Sequence, residues 1–144
     1  MKNLSLKRYL FGILLFAGIF TASAQQYQLN SPNGKLLLTI NAEQNLNWQI
    51  KHDGTTVLQP SAIALEGKDE KGKTLIHMGR NIKVVNESRK SVNTSFHTPF
   101  YKKAEVKDIY NQLILKCRGG YSIEFRAYDN GAAYRLISEI RKPY

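Results

Sequence analysis

The stretch Tyr121-Ser122-Ile123-Glu124-Phe125-Arg126-Ala127-Tyr128-Asp129-Asn130-Gly131-Ala132-Ala133-Tyr134-Arg135-Leu136-Ile137 decides the fold class. Tyr121, Ile123 and Phe125 alternate with Ser122, Glu124 and Arg126, a period of two that marks a half-buried strand rather than a helix. Tyr128-Asp129-Asn130-Gly131-Ala132 supplies a turn, and Ala133 to Ile137 the returning strand. Arg126 and Arg135 flank that turn. Cross-strand pairing with Glu124 or Asp129 is one use for them, and anchoring against a neighbouring domain is the other. Asp129 is expected to accept backbone hydrogen bonds at the turn.

Outward from this hairpin the same period recurs. Leu113, Leu115 and Cys117 share one face of the strand 111–117, and a mixed segment with Val106 and Ile109 leads into it. A polar, β-branched strand is expected over 91–96 with Val92 and Phe96 as its apolar positions, and Pro99 ends it because proline cannot donate into a ladder. A separate strand is expected over 81–86. Further upstream, Ile63 and Leu65 alternate before Gly67 and a charged loop from Lys68 to Lys73. Leu46, Trp48 and Ile50 form one strand face, Leu36, Leu38 and Ile40 another. Asn33-Gly34 and Asp53-Gly54 provide turns that tolerate positive φ, and 56–58 returns from the second of them and stops at Gln59-Pro60. Roughly ten short strands without a helix predict an all-β, antiparallel β-sandwich of the super-sandwich type. Ser138 to Tyr144 reads as a strand that runs out with no closing element, so the sandwich is expected to be incomplete and part of something longer.

Residues 1–24 read as a secretory signal peptide. Lys2, Lys7 and Arg8 precede the apolar run Tyr9 to Phe20, which is too short for a bilayer span of about 20 residues, and Ala22-Ser23-Ala24 closes the segment with a cleavage site. Cleavage predicts an exported chain, periplasmic or secreted, with residues 25–144 as the N-terminal part of one β-sandwich domain and no membrane attachment thereafter. The full chain carries 21 Lys plus Arg against 11 Asp plus Glu, and three of the positive charges leave with residues 1–24. The rest is interspersed in sign, as at Lys68 to Lys73 and Lys102 to Asp108, which makes a solvated face rather than a phosphate-tracking groove. No RNP pattern, zinc-finger spacing or long basic helix appears, so nucleic acid is not expected as a partner. Cys117 is the lone cysteine and is expected to be a buried, inert thiol.

The carboxylates are dispersed: Asp69-Glu70 is the one adjacent acidic pair, and it sits in a lysine-rich loop. His52, His77 and His97 share no metal-ligand spacing, and no D-x-[DN]-x-[DN]-G loop is present. No catalytic, cofactor-binding or metal-ligating residue is therefore assigned. Two features have sugar-binding character: the aromatic cluster Phe96-His97-Thr98-Pro99-Phe100-Tyr101 and the lone Trp48. Sheet packing is the expected use of Trp48.

Three segments together resemble the N-terminal domain of glycoside hydrolase family 97, which contains secreted α-glucosidases and α-galactosidases. They are Leu29 to Leu36 (LNSPNGKL), Lys102 to Leu113 (KKAEVKDIYNQL, with Gln112 in place of the usual Glu) and Phe125 to Arg135 (FRAYDNGAAYR). The resemblance implies an N-terminal β-sandwich of which this chain covers about half, a catalytic (β/α)8 barrel absent here, and an oligosaccharide substrate. It also implies calcium in the full-length enzyme, held by barrel glutamates, and no cofactor in this chain. Glycoside hydrolysis needs two carboxyl groups flanking the bond, and no position here matches a family catalytic residue. A non-catalytic domain fragment is thus expected. The alternatives are a free-standing exported carbohydrate-binding sandwich and, more remotely, a polyanion binder.

Overall fold

The computed structural model describes residues 25–68, 70–99 and 105–139, apart from the side chain of Leu75. The expected signal peptide, residues 1–24, and the segment 140–144 lie outside the described residues. Ten strands form: β1 (Gln26–Asn30), β2 (Leu36–Ala42), β3 (Leu46–His52), β4 (Thr55–Ala62), β5 (Leu65–Lys68), β6 (Thr74–Met78), β7 (Val84–His97), β8 (Glu105–Cys117), β9 (Tyr121–Tyr128) and β10 (Gly131–Ser138). Two four-stranded antiparallel sheets, ordered β1-β2-β3-β4 and β10-β9-β8-β7, pack face to face, and β5-β6 forms a separate hairpin. The all-β sandwich read from the sequence is the fold.

The period-two pattern works as pleat geometry requires. Leu36, Leu38 and Ile40 of β2, Leu46 and Ile50 of β3, Leu113 and Leu115 of β8, and Ile123 and Phe125 of β9 all enter one core. β1 lies across β8 and β9 and β2 across β9, while Trp48 of β3 reaches Phe125 and Tyr134 with ring centroids at 6.2 and 5.2 Å. Trp48 is thus a packing residue between the sheets.

Several boundaries differ from the sequence expectation. Segments 81–86 and 91–96 are not two strands: 84–97 is one continuous strand along β8. It is a sheet edge with mostly exposed side chains, so its polar middle signals solvation and not a break. β4 runs through Pro60 to Ala62, because β4 is also an edge and Pro60 sits at a register shift between Trp48 and Ile50. β1 was not expected as a strand, although Tyr27 and Leu29 alternate inward. Ile63 does not alternate within a strand but lies buried between β4 and β5. The mixed segment around Val106 and Ile109 is the first half of β8. β10 begins at Gly131 and ends at Ser138, with Glu139 outside it.

The turns follow their chemistry. Asp53 and Gly54 adopt φ of +46° and +79° in a two-residue hairpin turn, the primed geometry that matches strand twist. At the last hairpin Asp129-Asn130 makes the turn and Gly131 already pairs with Tyr128.

Candidate functional site

The outer face of the β8-β9-β10 sheet carries the densest chemistry. Outward positions on β9 are Ser122, Glu124, Arg126 and Tyr128, and strict alternation would expose them. Ser122 and Glu124 are nevertheless buried, Glu124 to 1 %. Register explains it: Arg135 of β10 lies opposite Glu124, and Gln112 of β8 lies opposite Arg126. Gln112 Nε2 and Arg126 Nε donate to Glu124 Oε1 at 2.6 and 2.5 Å, and Arg135 Nε donates to Oε2. Ser122 is covered by Glu139, whose carboxylate accepts from the Ser122 hydroxyl at 2.8 Å and faces Lys116 at 3.3 Å.

Of the two cross-strand partners the sequence offers for the arginines, this network takes Glu124. Asp129 is engaged elsewhere. Burial pushes the Glu124 carboxyl up, but donors from Arg126, Gln112 and Arg135 together outweigh it and hold the group below its ordinary value. The Arg126 guanidinium is held further up by Tyr128 and Glu124, and it lies 4.5 Å over the Tyr110 ring, which packs 5.1 Å from Tyr128. Tyr110 is thereby covered and offers no open face for a sugar. A shallow cavity of about 180 Å³ sits among Glu124, Arg126, Tyr128, Ala133, Tyr134 and Arg135.

Chemically this is an ionised carboxylate with both oxygens occupied. A general acid must hold a proton at working pH, and a base or nucleophile must present a lone pair to substrate. Glu124 does neither. The sequence names Glu124 as one of two cross-strand partners for these arginines without choosing between them; counting register back from the Asp129-Asn130 turn places Arg135 opposite Glu124 and is the signal that chooses.

A second polar cleft, of about 320 Å³, lies where β7 passes β1. There Arg89 Nη1 donates to the Gln28 carbonyl at 2.6 Å and Asn111 Nδ2 to the Asn30 carbonyl at 2.9 Å. At the other end of β8, burial pushes the Cys117 thiol up to about 11, against a hydrogen bond with Tyr121 that lowers it. That is the inert buried thiol the alternation implied. His52 sits exposed at the hairpin corner beside Asp53, His77 lies in β6 and His97 closes β7. They are not brought together. Phe96 is exposed at the end of β7, while Phe100 and Tyr101 of the same aromatic cluster lie outside the described residues, as does Asp69. Among the described residues no three His, Cys, Asp or Glu side chains converge as metal ligands would.

The three segments singled out in the sequence meet in space. The Asn33 N–H donates to Asp129 Oδ1 at 2.9 Å across 96 residues, Asn111 reaches Asn30, and Gln112 pairs with Arg126. The turn at Ser31 is itself closed by side chains: the Ser31 hydroxyl donates to Asn33 Oδ1 at 2.7 Å and accepts from the Leu36 N–H at 3.0 Å. The segments are thus one structural junction tying the two sheets together.

Comparison with known proteins places the three segments within one matched domain. The family model for the glycosyl-hydrolase 97 N-terminal domain matches residues 29–142. A retaining α-galactosidase from Bacteroides thetaiotaomicron is 36% identical over 134 residues, covering 91% of this chain and 20% of that protein. Two solved structures of a glycoside hydrolase family 97 enzyme from Pseudoalteromonas sp. strain K8, in complex with panose and with acarbose, superpose with TM-scores of 0.63 and 0.64. Their identities are 26% and 25%, and each match covers 76% of this chain and 17% of the other. The chain therefore spans about a fifth of the length of the relatives it matches.

Proposed function

The chain belongs to the glycosyl-hydrolase 97 N-terminal family, and from that premise we propose that it is the non-catalytic β-sandwich of an exported α-glycosidase. In this reading it packs on a catalytic barrel, helps shape the pocket that takes an oligosaccharide, and performs no chemistry of its own. Export rests on the charge, apolar run and small-residue cleavage site of residues 1–24. The calcium of the full-length enzyme belongs, in the same reading, to the barrel.

The observation that carries the scaffold role is Glu124. The most buried carboxylate of the described residues is locked, ionised, between two arginines and a glutamine, with neither oxygen free for acid, base or nucleophilic work. Glycoside hydrolysis would further require a second carboxyl group across a sugar-sized gap. The test is an assay of the chain on nitrophenyl α-glucoside and α-galactoside with and without calcium. No turnover is expected in either condition, and reproducible turnover that survives repurification would refute the scaffold role.

Exposed Phe96 at the end of β7 favours one second reading, a free-standing carbohydrate-binding sandwich. Saturable binding of maltooligosaccharides that is abolished by Phe96→Ala would support it over the scaffold.

A further inference from the structure

We propose that Asn130-Gly131 is a site of spontaneous deamidation, while Asn33-Gly34, the other Asn-Gly pair of the sequence, is shielded by the turn that holds it. The reaction needs only the backbone and water. The Gly131 nitrogen gives up its proton to solvent and attacks the Asn130 side-chain carbonyl carbon, forming the N–Cγ bond of a cyclic succinimide. The Cγ–Nδ2 bond breaks, and the amide nitrogen regains a proton and leaves as ammonia. Water then adds to either succinimide carbonyl and opens the ring to aspartate or isoaspartate. Asparagine is the thermolabile partner, and glycine after it leaves no Cβ to crowd the attacking nitrogen.

The two sites differ in what holds them. Asn33 Oδ1 accepts from the Ser31 hydroxyl at 2.7 Å and from the Lys35 N–H at 3.0 Å, the side chain closing its own turn. The Gly34 N–H, which would have to supply the nucleophile, donates to the Ser31 carbonyl at 2.9 Å, and the Asn33 N–H is held by Asp129. Bringing the Asn33 amide carbon onto the Gly34 nitrogen means turning the side chain away from Ser31 and Lys35 and freeing that N–H. Asn130 is exposed, and no hydrogen bond to a side chain fixes its amide among the described residues. Gly131 pairs with Tyr128 at the turn end of the β9–β10 ladder, where a terminal pair frays without disturbing the rest. Gly131 also lies outside the left-handed region, and an added Cβ would meet nothing within 4 Å. The attack therefore has open room, and neither the backbone angle nor a close approach demands a glycine there. Conversion places a second carboxylate beside Asp129, the acceptor for the Asn33 N–H. The isoaspartyl product also adds a backbone carbon to the hairpin turn.

In the experiment the 144-residue chain is kept folded in mildly alkaline buffer, and timed samples are digested with trypsin and read by mass spectrometry against the chain sampled at the start. Cuts after Arg126 and Arg135 release Asn130 in one peptide, and Lys35 ends the peptide that carries Asn33. Asn130 is expected to convert about tenfold or more faster than Asn33, the factor that one or two retained hydrogen bonds impose. Both aspartyl and isoaspartyl forms should appear at 130, and the rate should rise with pH. In urea, with both turns undone, the two rates should come together. Gly131→Ala, which the backbone angle and the open space accommodate, should slow conversion at 130 and leave Asn33 as it was. Equal or reversed rates in the folded chain, a difference that persists in urea, or a Gly131→Ala chain that converts as fast as the unaltered one would overturn the proposal. So would an Asn130 that stays intact in the folded chain and converts only in urea, since the hairpin would then protect it. None of these outcomes touches the scaffold role, which stands or falls on the glycoside assay.

Discussion

A single side chain, Glu124, shows how burial and charge balance in this protein. Taking a carboxylate out of water is costly, and the cost is met only when strong donors replace the lost solvent. Arg126, Arg135 and Gln112 do so, and the net result is a group that stays ionised. A carboxyl whose folded value is depressed adds stability that is complete above its usual value near 4.5 and is lost as pH falls through the lower folded value. Glu124→Gln is therefore expected to cost about 1–3 kcal/mol at neutral pH. The difference from the unaltered chain should narrow as the solution is acidified below that range, as urea unfolding at a series of pH values would show. A gap that widens in acid would contradict the assignment. The moderate size follows from Arg135, whose exposed guanidinium can fall back on water. The pairing was half legible in advance: the arginines were recognisable as cross-strand partners, but Glu124 and Asp129 competed for them. Only the register from the Asp129-Asn130 turn chose, and it left Asp129 to bind the Asn33 N–H.

At the scale of elements, glycines separate backbone demands from packing demands. Gly54 has φ of +79° in the β3–β4 turn, and an added Cβ would meet nothing within 4 Å. Gly79 has φ of +82°, and a Cβ there would sit 2.0 Å from the Ile63 carbonyl oxygen. Its N–H donates to the Tyr121 hydroxyl at 3.3 Å and its carbonyl accepts from the Leu46 N–H at 2.8 Å, so it joins the β5-β6 hairpin to both sheets. Gly54→Ala is expected to cost about 1 kcal/mol through its backbone angle alone. Gly79→Ala should cost about 2–4 kcal/mol, because backbone must move as well. Thermal melts of the two variants test the ranking, and equal losses would show that the close approach yields without strain. Asp53-Gly54 was visible in the sequence as a hairpin turn. Gly79 was not, because nothing local distinguishes a glycine wanted for its angle from one wanted for its size. The same limit explains β7, whose polar middle looked like a gap between strands until it was seen to run along β8.

For the molecule as a whole, the two sheets share one core and one reporter. Trp48 is the single tryptophan, and its contacts with Phe125 and Tyr134 cross from the first sheet to the second. Its emission should therefore follow sheet separation and coincide with the loss of far-UV circular dichroism in a urea titration. Two separated transitions would mean that the sheets come apart before they unfold. Much of this architecture was determined by the sequence: alternation decides which face of a strand is apolar, Asp-Gly decides where a tight hairpin turns, and three spaced segments identify the family. Those are local properties, fixed by the stereochemistry of a few neighbouring residues. The tertiary structure alone decided that the three segments form one junction and that Glu124 is buried on an outward face. Each of these depends on which strand lies beside which. Strand order and register arise from contacts between residues far apart in the chain, and alternation alone carries no record of them.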